Sequence, residues 1–167
     1  MLHACGWARQ SDTLLFPMTE FIDTIVRVRY AETDQMGFVY YGNYYIYFEV
    51  GRVEYMRHQG VDYKQMEIQD DSFIVVAESK CRYLRPARYD DSLRIRTRVS
   101  EFKRRTIRFR YEILHDETGE LLATGETVHV VCDRHGKPKT LPEKYRRFFD
   151  VPADVQTAAE ISTPPAI

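Results

Sequence analysis

The sequence predicts an α+β domain in which a five-stranded antiparallel sheet wraps around one long central helix. Three observations carry this expectation. One alternating segment precedes a single long apolar segment. Four alternating segments follow it with only turns between them. The apolar segment is too long for a strand and is apolar around most of its circumference, so as a helix it must be enclosed.

Each element has its own local reason. Val26, Val28 and Tyr30 alternate with Arg27 and Arg29, giving a strand with one wet face and Tyr30 as its last inward residue. A turn follows over residues 34–37. Residues 43–58 read as the helix, with Asn43 as its N-cap and Gly60 just past its end, where a left-handed residue is wanted. Tyr44, Tyr47, Phe48, Gly51 and Tyr55 fall on one stripe, with Ile46, Val50 and Val53 beside it. Phe73, Val75, Ala77, Ser79, Cys81 and Tyr83 read as one face of a long strand ending at Arg85 and Pro86. Leu93, Ile95, Thr97 and Val99 alternate with Arg94, Arg96 and Arg98; Ile107, Phe109, Tyr111 and Ile113 alternate with Arg108, Arg110 and Glu112. The DETG stretch at 116–119 signals a hairpin, a last strand runs over 120–133, and 142–149 forms a short terminal helix. The arginine rows make the outer sheet face wet, or pair it with acidic side chains of a partner subunit.

The bulk properties exclude several classes. The chain has 167 residues, enough for one domain with a substantial core. Its net charge of −1 gives no general attraction to nucleic acid or membrane. No apolar run approaches the roughly 20 residues needed to cross a bilayer. Cys5, Cys81 and Cys132 have neither zinc-site nor disulfide-framework spacing, which points to a reducing cytoplasm. The five histidines show no HExxH pattern, and there is no GxSxG, P-loop or dinucleotide fingerprint. No metal and no cofactor are therefore expected. Residues 1–20 read as an extension, with Met18 a candidate natural start, 21–150 as the domain and 151–167 as a flexible tail.

The segment YAETDQMGFVYYGNYYIYFEVGRVEYMR, beginning at Tyr30, resembles the signature of the hotdog-fold acyl-CoA thioesterases. It is most similar to the 4-hydroxybenzoyl-CoA thioesterase family, including its Tol-Pal-associated acyl-CoA thioesterase branch. RYLRPARYDDSLRIRT, from Arg82, resembles that family's second block. The resemblance covers about residues 24–149. It implies a hotdog fold, a homodimer or homotetramer with active sites at the dimer interface, and an acyl-CoA substrate whose coenzyme A is part of the substrate and not a cofactor.

The same resemblance assigns candidate roles. Asp34 matches the aspartate that attacks the thioester or acts as base toward water, both chemically sound; its structural alternative is a turn acceptor. The backbone N–H of Tyr41, with Gly42 and Asn43 beside it at the helix start, matches the donor that polarises the carbonyl. Tyr41 replaces the histidine common in the Tol-Pal branch and agrees with the tyrosine that the aromatic-acid branch can carry. Short-chain, longer and aryl acyl groups thus stay open.

Glu49 is a candidate catalytic residue, as an active-site wall or water-positioning acid in line with relatives that place a catalytic acid on this helix, or else an ion-pair partner of Arg52 or of a cation across the dimer. Tyr30 and Tyr44 are candidate pocket residues, with packing as the alternative for each. Lys103, Arg104 and Arg105, and then Lys137, are candidate phosphate contacts for coenzyme A, or a solvated sheet edge. Two other functions remain: dehydration of a 3-hydroxyacyl thioester, disfavoured by tyrosine instead of histidine at Tyr40 and Tyr41, and a non-catalytic acyl-thioester-binding scaffold.

Overall fold

A computed structural model of the protein describes residues 21–149; the expected extension and tail lie outside the described residues. Five strands form one antiparallel sheet: β1 (Ile22–Arg27), β2 (Phe73–Tyr83), β3 (Ser92–Lys103), β4 (Thr106–His115) and β5 (Leu121–Cys132), in the order β1-β3-β4-β5-β2. The long helix α1 (Asn43–His58) crosses the concave face, packed chiefly on β3 and β1. Two shorter helices, α2 (Tyr63–Asp70) and α3 (Glu143–Arg146), complete the described fold.

The stripe of α1 is buried as expected: Tyr44, Tyr47, Phe48, Gly51 and Tyr55 all face the sheet. It meets the inward residues of β3 and β4, including Ile95, Val99, Phe109 and Tyr111, all essentially inaccessible to solvent. Phe48 stacks on Tyr111 with ring centroids 4.5 Å apart. Glycines permit this close approach. A Cβ at Gly51 would strike Thr97 and Ile95, and a Cβ at Gly125 would strike the Phe48 ring.

Four expectations need correction. First, β1 stops at Arg27, and Tyr30 sits in a 3₁₀ turn (Tyr30–Glu32), 79% exposed, with its ring edge-on to Tyr89. Second, α1 is not enclosed all round: Ile46 is 43% exposed and Glu49 is exposed. Third, the single face read along β2 is broken by a bulge between Val76 and Glu78. Register with buried His129 and Thr127 turns Ile74 and Val76 inward before the bulge, and Ser79, Cys81 and Tyr83 inward after it. Fourth, α2 was not expected; its signal is Asp62, whose carboxylate caps the Gln65 N–H at 3.0 Å.

Most of the outer arginines find acids within their own chain, whereas Arg98 lies over the Phe21 ring, 4.9 Å from its centroid. Arg94 bonds Asp116, Arg96 bonds Glu112, and Arg108 and Arg110 share Glu126. Beneath the sheet, Tyr111 and His129 each meet the Thr127 hydroxyl at 2.8 Å. Burial first, and then the charge of Arg52, push His129 down to about 3. An unfolded histidine protonates near pH 6.5, so stability is fully present above that value and declines as pH falls toward 3. Between about pH 6.5 and pH 5 the loss comes to about 2 kcal/mol. Urea midpoints compared near pH 7.5 and pH 5 should shift less in His129→Gln than in the wild type; an equal shift would assign the acid sensitivity elsewhere.

Candidate active site

The loop between β1 and α1 is held by one buried acid. Glu32 is 6% exposed. Its carboxylate accepts the Arg29 N–H at 2.8 Å, Arg29 Nε at 2.9 Å and Arg29 Nη2 at 2.6 Å, and the Tyr47 hydroxyl at 2.9 Å. Its carbonyl accepts Asn43 Nδ2 at 2.7 Å and the Tyr40 N–H at 2.9 Å. Burial pushes the Glu32 carboxyl up, but the hydrogen bonds from Arg29 and Tyr47 outweigh it and hold the group below its ordinary value. Sequence reasoning passed over Glu32; the signal available was its position three residues after Arg29, the spacing of a capping box.

Asp34 is half-buried in the next turn. One carboxylate oxygen accepts the Met36 N–H at 2.9 Å and the Phe38 N–H at 3.3 Å. The Gly37 N–H donates to the Asp34 carbonyl at 3.0 Å, and Gly37 takes a φ of +76° that suits glycine. The turn role is thus carried by one oxygen. Among the described residues the other oxygen has no hydrogen bond, so the carboxylate is oriented and still open on one side.

Across from it is the start of α1. Asn43 is not its N-cap: Gly42 holds that position, no side chain caps the helix, and the Asn43 amide is turned to Glu32 instead. Among the described residues the N–H groups of Tyr41 and Gly42 have no acceptor. Both peptides are nevertheless pinned through their carbonyls, Tyr40 O by the Asn43 N–H at 2.9 Å and Tyr41 O by the Tyr83 hydroxyl at 3.1 Å. Uncapped N–H groups at a helix start attract developing negative charge.

Asp34 and Tyr41 line the same groove of about 350 Å³. Its walls are apolar: Met36, Phe38 and Val39 from the loop, Tyr44 from α1, and Tyr83, Leu84 and Pro86 from the end of β2. Arg85 stands at the rim, paired with Glu120 at 2.5 Å. Tyr83 and Arg85 were not among the expected site residues, because nothing local in β2 marks them.

The remaining candidates lie elsewhere. Glu49 is about 12 Å farther along the helix, on its uncovered side, and forms no ion pair with Arg52. Tyr30 is not a groove residue. Lys103 pairs with Glu101 at 2.6 Å, Arg104 Nε donates to Thr140 at 3.1 Å, and the Arg105 carbonyl accepts the Val131 N–H. With Lys137, they sit at the end of the sheet where β2 begins, whereas the groove lies where β2 ends. The two ends are roughly 30 Å apart along the strand, so the basic cluster does not reach the groove of its own chain.

A family model described as the thioesterase-like superfamily matches residues 28–158. The chain belongs to this superfamily. Among similar members, the acyl-CoA thioesterase YbgC of Haemophilus influenzae is 32% identical over 126 residues, 74% of this chain and 90% of that protein. The acyl-CoA thioester hydrolase YbgC of Escherichia coli O157:H7 is 33% identical over 119 residues, 71% of this chain and 87% of that protein. The crystal structure of a DHNA-CoA thioesterase from Staphylococcus aureus aligns with a TM-score of 0.73 at 30% identity, covering 83% of this chain and 93% of that one. The hotdog architecture expected from the signature segments is thus the fold of this superfamily member.

Two substitutions separate scaffold from chemistry. Glu32→Ala leaves the Tyr47 hydroxyl buried without its partner and should lower stability by about 1–3 kcal/mol, read as a urea midpoint shift. Asp34→Asn keeps an oxygen for the Met36 and Phe38 N–H groups and should change stability by under about 0.5 kcal/mol.

Proposed function

We propose that this thioester hydrolase cleaves acyl-CoA to free acid and coenzyme A, with Asp34 as nucleophile or general base and the Tyr41 and Gly42 N–H groups as carbonyl donors. The observation that carries the reading is the pairing, in one apolar groove, of a carboxylate oxygen and backbone donors that have no hydrogen-bond partner among the described residues. A thioester carbonyl seated between them gains hydrogen bonds as charge develops on its oxygen. The open side of Asp34 then faces the carbonyl carbon or an attacking water. The names of similar proteins support coenzyme A thioesters as the substrate class.

The protein acts as a homodimer in this proposal. What supports it is the unfinished surface of one chain. β2 is a sheet edge with Val75 51% and Val76 50% exposed, and Ile46 and Tyr45 lie uncovered on α1. Two copies paired antiparallel through β2 would bring the basic end of one chain to the groove end of the other. Lys103, Arg104, Arg105 and Lys137 of one copy would then serve the coenzyme A phosphates bound by its neighbour.

Thiol release from a panel of acyl- and aroyl-CoAs tests the chemistry. Asp34→Asn should lower kcat/KM by about 10²–10⁴-fold with its melting temperature kept; full hydrolysis by the variant would remove Asp34 from the mechanism. Charge reversal at Arg104 and Arg105 should raise KM for acyl-CoA and leave kcat close to that of the wild type. A sedimentation mass of one chain under assay conditions, with activity retained, would sink the shared site.

A further inference from the structure

Tyr83 enters the groove from the sheet, at the end of β2 and 42 residues along the chain from the helix start that it touches. Its hydroxyl lies 3.1 Å from the Tyr41 carbonyl oxygen. A carbonyl can only accept, so the phenol proton is committed to this bond. The Cys81 and Tyr45 side chains hydrogen-bond the same phenol and are left its oxygen lone pairs. Partial burial first, and then the Cys81 and Tyr45 contacts, raise Tyr83 above the ordinary phenol value, so it keeps its proton at neutral pH. The strand end that carries it is fixed. Tyr83 pairs with Ala123 of β5, and the next two N–H groups, of Leu84 and Arg85, donate to the Leu122 carbonyl at 2.8 and 3.0 Å. The Tyr83 ring stands edge-on to buried Tyr44, with centroids 5.1 Å apart.

The peptide it holds is the one that the Glu32 network leaves out. Glu32 fixes the Tyr40 N–H on one side and the Asn43 amide on the other. Between them, the carbonyl of the Tyr41–Gly42 peptide accepts the Tyr44 N–H at a long 3.4 Å and the Tyr83 hydroxyl at 3.1 Å. Gly42 has no Cβ to restrain the backbone, and no side chain caps the helix, so rotation and fraying here are otherwise cheap. A hydrogen bond at a peptide oxygen also polarises the whole peptide and makes its N–H a stronger donor. That N–H belongs to Gly42.

Given the thioesterase reading, we propose that Tyr83 is a positioning residue for the hydrolysis: its hydroxyl holds and polarises the Tyr41–Gly42 peptide, and through it the Gly42 N–H that meets the developing oxyanion. The effect belongs to the transition state, because the charge on the thioester oxygen develops only there. It is also indifferent to the acyl group, since every thioester presents the same carbonyl. The sheet thereby has a hold on the helix start that does not pass through Glu32.

Tyr83→Phe tests the inference, because it keeps the ring against Tyr44 and removes only the hydroxyl. It should lower kcat by roughly three- to thirty-fold with KM nearly unchanged, short of the about 10²–10³-fold that loss of a whole donor costs. The loss should be equal for acetyl-, hexanoyl- and benzoyl-CoA. A loss carried by KM, or one that varies with the acyl group, makes Tyr83 a wall that touches substrate and overturns the inference; so does unchanged kcat. A second readout needs no turnover. In protein labelled with ¹⁵N-glycine, the Gly42 nitrogen resonance should move upfield in Tyr83→Phe while those of Gly37 and Gly51 stay in place. An unmoved Gly42 resonance overturns the inference whatever the kinetics show. Dissociation of the wild-type assembly by Tyr83→Phe in sedimentation makes the hydroxyl an interface contact and overturns it as well. A wild type that hydrolyses no coenzyme A thioester defeats the activity assignment instead, while the Gly42 resonance still decides whether Tyr83 holds the peptide.

Discussion

The site depends on one buried carboxylate that takes no part in the proposed chemistry. Glu32 gathers Arg29 and Tyr47 at its side chain and Asn43 and Tyr40 at its carbonyl. These contacts tie the end of β1, the loop that carries Asp34 and the first turn of α1 to a single point. A catalytic carboxylate and its opposing donors must hold their separation to within a fraction of an ångström. Here that separation is set by a residue bonded to the loop and to the helix start, and outside the groove. Glu32 keeps its charge because its hydrogen bonds more than offset burial, so the clamp persists at neutral pH and weakens only as pH falls through the carboxylate range.

The second constraint is the incomplete burial of α1. Most of its apolar stripe is spent on β1 and β3, which leaves the β2 side of the concave face uncovered. In one chain this is a cost, since an exposed edge strand with apolar residues invites association. The same gap holds the groove, and it makes a second copy part of the proposed site. Packing and function therefore share one feature: the helix is displaced toward one edge of the sheet, and the ligand space is what that displacement leaves open.

The sequence made the repeating parts legible. Alternation of period two in β3 and β4 identifies the inward residues correctly, and the helix bounds over 43–58 agree with the structure. What it concealed was set by contacts distant along the chain. Tyr30 continues the alternation of β1 but is turned outward, because Arg29 is drawn to Glu32 and the chain bends there. The bulge in β2 depends on pairing with β5, which no local pattern records. Asp34, Tyr41 and the helix start were readable because their motif is contiguous. Tyr83 joins the site from a strand some forty residues later, and the separation of the basic cluster from the groove follows only from strand order.

The helix start is itself a departure from what maximal stability would choose. Asparagine one position earlier would place a strong cap on the first turn, worth up to about 1–2 kcal/mol. This chain instead has glycine at the cap and commits the adjacent asparagine to the Glu32 carbonyl. A capping oxygen would occupy N–H groups at the helix start and place a partial negative charge near the position where the oxyanion forms. Leaving them open forgoes local stability, and the Glu32 network supplies the rigidity that the cap would have given. The loop is thus held from behind while its front stays free, which is the condition for donors that are fixed before the substrate arrives.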